Sequence, residues 1–407
     1  MTTTPTGAPT DSTVGTDRTE SSPECLASPP GPAPAPGVAR SVLVLPSGEL
    51  HATGVRTTVE PDPATGRAGA AAVVARLHAE GVADPLVTGV LGADDGRPGR
   101  LVVPVAWERR ARRAPAPPPP ARDARAAGWD VRPEPAPPRY AAAVHRALEL
   151  IADGEVGSVV LARALALVAP RPVDPDELLS ALVDPDDDAS AVRVDLDDRG
   201  GSSLVGLGDE LLVARHGDRV VSAPLAGTAW RSADPDEDVR RGRELAAQAD
   251  LTTHAVAVAR AAERLAPWCD HLDVPTAPAL VPTARRWRLV SRVEGRLRVP
   301  RPTALELAEV LRPGAGTWGD PPEVARAVVD DLEQADRGHL GAAAGWCAAD
   351  GDGEWVVTAP CAGIRGRHVR LSAGALVAAG CRPETELAGT GATFRTLLAA
   401  LGIESTP

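Results

Sequence analysis

Between residues 191 and 225 the chain runs through four short apolar segments, AVRVDL, SSLVGLG, ELLVARHG and RVVSAPL, parted only by turns rich in Asp, Gly and Ser. Segments this short, joined this closely, read as strands that pair with their sequence neighbours. The same habit recurs at SVLVLPSGEL, RLVVPVAW, RWRLVSRVEG, EWVVTAP, HVRLSAG and ALVAAG. Helical spacing occupies AAAVVARLHAEG up to Gly81, and then 140–152, 236–247, 254–266, 304–311, 322–334 and 386–401. Helices are thus inserted between groups of strands rather than after every strand. That order predicts an α+β chain built on large antiparallel sheets instead of a doubly wound one. No repeat of solenoid period is present.

Order is expected to begin near Ala39. The leader over residues 1–38 is biased toward Thr, Ser, Pro and Gly and cannot bury enough surface to order itself. The folded region is expected over 39–407, with a proline-dense, solvated connection at 109–138 inside it. The leader lacks a basic start followed by an apolar run, so it is not read as a secretory signal. No apolar run approaches the roughly 18 to 20 residues that span a bilayer, so no membrane association is expected.

The formal charge of −12 argues against nucleic acid as a partner, because phosphate binding needs a clustered basic footprint. A small carboxylate ligand or a protein partner fits better. Cysteines at 25, 269, 347, 361 and 381 form no close CxxC pair, which predicts reduced thiols in a cytoplasmic protein and no zinc site. Lysine is absent, and Tyr140 and Phe394 are the only residues of their kinds, a bias expected of a GC-rich bacterial genome. No P-loop, dinucleotide fingerprint, HExxH or nucleophile elbow is present.

The order of several blocks is more informative. SVVLAR (158–163), LVGLGDELLV (204–213), SAPLAGTAWR (222–231), ADLTTH (249–254), ADRGHLGAAAGW (335–346), GDGEWVVTAP (351–360) and SAGALVAAGCRPETELAGT (372–390) follow one another along the chain. In that order the chain resembles the chorismate-utilising enzymes from about residue 41 to 403. Its amino-terminal segments, VLVLPSGELHATGV and ADPLVTGVLGADDGRPGRLVVPV, look most like isochorismate synthases. The resemblance implies one domain in which two large antiparallel sheets pack as a sandwich with helices outside. It implies Mg²⁺-dependent interconversion of chorismate and isochorismate, in a siderophore or menaquinone pathway. That chemistry needs cations or backbone donors for a dianion, a base for the water and an acid for the departing hydroxyl.

Carried over residue by residue, the resemblance is uneven. The acid position is Glu210, either retained in its role or a solvent-facing strand glutamate. Gly227 and Thr228 of PLAGT either present donors to a substrate carboxylate or make a tight bend. Gly374, in GALVA, is a third candidate substrate contact, although Leu376 stands where the family has glycine. The water-activating lysine of the family is replaced by Ser158, a poor proton acceptor without a neighbouring base. Two further family lysines match Ala249 and Thr393. The two carboxylates that hold Mg²⁺ in the family match Thr253 and Gly389, and neither can replace an oxygen ligand set. Asp250 and Glu386 remain nearby but off those positions, and an arginine clamp becomes Pro360.

Pressure toward GC would turn lysine into arginine, not into Ser158, Ala249 and Thr393. The expectation is therefore an isochorismate synthase-like protein with impaired or lost family catalysis and no Mg²⁺ held in the family manner. Two alternatives stay open: an active synthase whose pocket is re-formed by Arg288, Arg312 and Arg382, or a non-catalytic homologue that binds a ligand or partner. An anthranilate- or salicylate-forming relative is a weaker reading. His254 reads as a residue at the start of a helix and as the surviving half of a Glu-His pair.

Overall fold

The computed structural model describes residues 37–403 apart from 61–68, 95, 97–98, 113–127, 184–188, 209, 249–250, 284–285, 315 and 334–335. The leader expected over 1–38 therefore lies outside the described residues up to position 36. So does the middle of the connection expected at 109–138.

Two large sheets carry the chain. One has ten strands and the other nine, and every ladder within them is antiparallel. A separate three-stranded sheet joins Leu225–Trp230, Arg286–Val290 and Ala279–Pro282. The described helices are α1 (Ala70–Ala79), α2 (Pro137–Ala152), α3 (Pro175–Leu182), α4 (Pro235–Gln248), α5 (Leu251–Leu265), α6 (Ala304–Leu311), α7 (Pro322–Leu332) and α8 (Pro383–Ala400).

The buried clusters show the layering. Leu43, Leu50 and Leu204 from the ten-stranded sheet meet Leu86, Trp346 and Val356 from the nine-stranded one, so the sheets bury their inner faces against each other. The outer face of the nine-stranded sheet is covered by α1, α5 and α6, through Leu77, Val258 and Leu305. The outer face of the ten-stranded sheet is covered by α3 and α8, through Leu178 and Phe394. Burial on both faces explains why strands such as Leu86–Leu91 read as continuous apolar runs rather than alternating ones. The sandwich with helices outside, expected from the resemblance, is the architecture found.

Several local expectations change. Asp130–Glu134, placed in the solvated connection, is a strand that pairs with Ser158–Val168 from Asp130↔Val168 to Glu134↔Ala164. RLVVPVAW is not one strand: Arg100–Val103 belongs to the nine-stranded sheet and Ala106–Arg110 to the ten-stranded one, with Pro104 between them. Proline cannot donate to a ladder, so it marks where the chain changes sheets. Conversely, HVRLSAG and ALVAAG merge into a single strand, His368–Ala378. Helix α5 begins at Leu251, so His254 is its fourth residue rather than its first.

Candidate functional site

Ser158 opens the long strand Ser158–Val168, opposite Ala378 on one side and Asp320 on the other. The chain approaches very closely here: a Cβ on Gly319, whose φ is +124°, would lie 2.2 Å from the Ser158 carbonyl oxygen, so only glycine fits. Ser158 is 1 % exposed, and its hydroxyl has no hydrogen-bond partner. The same strand is tied to its surroundings two to five residues on, with Arg163 Nε left without a partner. Ala162 donates its amide to Glu333, and Arg337 donates to the Val160 carbonyl, to the Thr317 carbonyl at 2.7 Å and to Glu333 at 2.6 Å. Arg163 reaches Thr390 of α8 at 3.1 Å and lies over the ring of Tyr140.

Glu210 begins the strand Glu210–His216, opposite Val357. At 8 % exposure it is not solvent-facing, which removes one of its two readings. The loop after α6 comes so near that a Cβ on Gly314 would sit 3.1 Å from Glu210 Oε1 and 2.9 Å from Val357. Glu210 walls a cleft of about 20 Å³, shared with Ser222, Arg260, Arg264, Leu311 and Gly314. Arg260 donates to Asp320 at 2.7 Å, which ties α5 to the residue opposite Ser158. Arg264 donates to the carbonyls of Leu311 (2.9 Å), Arg312 (3.2 Å) and Pro313 (3.3 Å), satisfying the end of α6. Burial, and then the charge of Arg260, pull the Arg264 guanidinium below its ordinary pKa.

His254 is buried. Its Nε2 lies 2.6 Å from the Ser291 hydroxyl, while Nδ1 has no partner. Burial lowers its pKa, so the neutral ring is favoured. Thr253 occupies the preceding position in α5. Gly389 lies midway along α8, where an added Cβ would meet nothing within 4 Å. Thr393, one turn on, donates back to the Gly389 carbonyl at 3.3 Å, the local bond typical of a helical threonine.

Gly227 and Thr228 lie in the strand Leu225–Trp230, opposite Leu289 and Arg288, with a register shift between Leu225 and Gly227. They form a bulged strand, not the tight bend considered above. This segment is held by a dense network. Asp238 of α4 accepts from Arg231 at 2.8 Å, from the Ser232 amide at 2.9 Å and from Trp287 Nε1 at 3.1 Å. Those bonds, led by Arg231, hold its carboxyl at a pKa of about 2. Gly374 sits within the long strand His368–Ala378 opposite Ala162, where a Cβ would press on Val160 at 3.1 Å. Close strand packing is therefore sufficient reason for that glycine.

The arginines expected to re-form a pocket come from three different elements. Arg312 donates to the Gly92 carbonyl at 2.8 Å, Arg288 lies in the small sheet opposite Thr228, and Arg382 precedes α8. Arg260 and Arg264, which the sequence reading did not single out, are the ones beside Glu210. Their spacing of four residues on α5, six and ten beyond His254, is the signal that marks them.

The family model for chorismate binding enzymes matches residues 102–402. The chain belongs to the chorismate-binding enzyme family. It is 40 % identical over 339 residues to isochorismate synthase DhbC of Bacillus subtilis, covering 80 % of this chain and 82 % of that protein. The crystal structure of DhbC from Bacillus anthracis, provisionally assigned as a 2,3-dihydroxybenzoate-specific isochorismate synthase, superposes with a TM-score of 0.82. It is 34 % identical and covers 90 % of this chain and 96 % of that one. MenF, the menaquinone-specific isochorismate synthase of Escherichia coli, shares the fold with a TM-score of 0.73 at 22 % identity, covering 88 % of each chain. Chorismate-binding relatives thus serve both kinds of pathway expected from the sequence.

The family's Mg²⁺ can be tested against the residues present. Among the described residues no three His, Cys, Asp or Glu side chains converge on a point that could hold a metal. Position 389 contributes no side chain at all, and position 253 a hydroxyl rather than a carboxylate. A hard dication that needs several oxygen ligands does not fit this set.

Proposed function

We propose that this chorismate-binding family member, nearest in kind to the isochorismate synthases, holds a small carboxylate such as chorismate without performing the family's Mg²⁺-dependent interconversion at ordinary enzyme rates. The observation that carries the reading is Ser158, a buried hydroxyl with no partner where the resemblance places the water-activating base. A serine hydroxyl accepts a proton only with a base at hand. Asp320, the residue opposite it, directs its carboxylate to Arg260. Glu210 keeps the acid position and can deliver a proton to a departing hydroxyl, but position 158, where the resemblance places the base for the incoming water, offers only a hydroxyl.

Chorismate supplied to the purified chain, with and without Mg²⁺ and with products separated by chromatography, tests this directly. The expected result is binding without isochorismate. Magnesium-dependent product at the rates usual for enzymes, of order 1 to 10³ s⁻¹, would overturn it. No helix among the described residues is long and apolar enough to cross a membrane, and no disulfide joins Cys269, Cys347, Cys361 or Cys381. These support a cytoplasmic, reduced setting as part of the same proposal, in which a protein partner would act on the ligand-bound form.

A further inference from the structure

The strands Arg219–Ala223 and Val293–Leu297 pair in the nine-stranded sheet as far as Ser222↔Val293, and the same two stretches of chain pair again in the small sheet from Leu225↔Val290 onward. They form one two-stranded ribbon that leaves the body between Pro224 and Ser291. The ladder weakens there. Proline has no amide to give, the backbone bond across the break is a long one, 3.4 Å from the Ser291 amide to the Pro224 carbonyl, and the register shifts just beyond it, between Leu225 and Gly227.

Beyond the break, the small sheet and α4 are braced on each other. Asp238 gathers bonds from Arg231, Ser232 and Trp287, and Arg231 also donates to the Thr283 carbonyl at 2.8 Å. Helix α4 lies so close that a Cβ on Gly242 would stand 3.0 Å from the Trp287 ring. The tie to the body is thin by comparison. Among the described residues, none from this sheet or from α4 belongs to any of the four buried apolar clusters, and no ladder joins the sheet to either large one. Residues 274–278, by which the chain returns to the small sheet, are exposed or half-buried. An element braced inside and lightly held outside can move as one body. Helix α5, in contrast, is anchored in the body through Val258, Ala261 and Leu265, so the 2.6 Å contact from His254 Nε2 to the Ser291 hydroxyl pins the break to a fixed element.

We propose that α4 and the small sheet form a flap that swings about Pro224 and Ser291, that the His254–Ser291 hydrogen bond latches it, and that it closes over a small carboxylic acid. The inference deepens the proposed function and rests on it for the ligand, not for the hinge. The exposed Thr228 rides on the flap while Glu210 stays on the body. Pro224 itself borders the cleft beside Glu210, which at about 20 Å³ has room for a water and not for a ring. Bending at Pro224 widens that cleft, and a ligand that touches both sides favours the closed form.

Pulsed dipolar spectroscopy between spin labels on the whole chain measures the swing. Cys25→Ser with Cys381→Ser leaves the buried Cys269, Cys347 and Cys361 as the native thiols. Labels at the exposed positions of Arg243→Cys on α4 and Arg219→Cys on the body span the hinge, and Arg243→Cys with Val281→Cys lies within the flap. The pair within the flap is expected to give one narrow distance distribution, and the spanning pair a broad one that chorismate narrows. Ser291→Ala should raise the open share about threefold to tenfold without changing the pair within the flap. A spanning distribution as narrow as the other and unmoved by Ser291→Ala would overturn the hinge, and a broad distribution within the flap would overturn its rigidity. A spanning pair that stays broad when calorimetry shows chorismate bound would overturn closure. Failure of chorismate to bind would overturn the proposed function and closure with it, while the distances of the unliganded chain still decide the hinge.

Discussion

The strand Ser158–Val168 holds both extremes of this molecule. At its first residue a hydroxyl is buried with no partner; further on, the Val160 carbonyl accepts from Arg337, the Ala162 amide donates to Glu333 and Arg163 Nη1 donates to Thr390, leaving Arg163 Nε as the orphaned atom there. The small sheet repeats the second condition, with Arg231, Ser232 and Trp287 all converging on Asp238. The emptied positions, Ser158, Thr253 and Gly389, are those to which the family resemblance assigns chemistry. The saturated ones hold elements in place. On the reading proposed above, the fold is carried by polar groups other than those the resemblance assigns to the reaction, of which Glu210 is kept while positions 158, 253 and 389 differ.

That contrast can be broken at its strong side first. Arg337→Met removes the buried partner of Glu333 and the donors to two carbonyls, and should cost about 3 to 5 kcal/mol because a buried charge is left uncompensated. Urea unfolding measures this; a loss under about 1 kcal/mol would mean the network is not what holds Ser158–Val168 to the loop at Thr317.

Asp238 is the next test, through pH. Its carboxyl is depressed from the ordinary 3.8 to about 2, so the folded state binds that proton less readily than the unfolded chain. The stability it contributes is present above pH 3.8 and is lost as the pH falls through about 2. Asp238→Asn should lower the melting temperature near neutrality and flatten its decline between those two pH values. An unchanged decline would remove Asp238 from the acid-sensitive part of the fold.

On the emptied side, Thr253→Glu with Gly389→Glu returns two carboxylates to the positions where the resemblance places them, and position 389 has open space for a side chain. The double variant should take up Mg²⁺ where the parent does not, and gain about 1.4 kcal/mol at ten times its dissociation constant. Equal melting of both chains with and without Mg²⁺ would mean the two positions no longer face a common point. The smallest effect is expected at Ser158 itself. Ser158→Ala deletes an unpartnered buried hydroxyl and should leave stability unchanged or raise it by up to about 1 kcal/mol. A clear loss in thermal unfolding would show that the hydroxyl is bonded in solution.

Much of the fold was legible because strand and turn patterns are local. What was not legible is partner choice. The run RWRLVSRVEG has one continuous pattern, yet Arg286–Val290 joins the small sheet and Val293–Leu297 the nine-stranded one. Alternation tells which face a residue takes and says nothing of which sheet it joins. The candidate site divides in the same way. Glu210, Ser158 and Gly389 were singled out from ordered blocks, whereas the Arg260–Asp320 contact spans 60 residues and has no periodic signature. Arg288, Arg312 and Arg382 were singled out because they replace family residues, but a replacement shows only that a position changed. Arg312 now serves the Gly92 carbonyl.

The central claim is that the polar groups remaining around Ser158 and Glu210 do not turn chorismate into isochorismate. A single-turnover experiment, with the purified chain in excess over chorismate at saturating Mg²⁺ and products resolved by chromatography over hours, reads this with the least ambiguity. The account predicts chorismate recovered unchanged at the uncatalysed rate, with and without Mg²⁺. Isochorismate accumulating within seconds in the presence of Mg²⁺, and not in its absence, would contradict it.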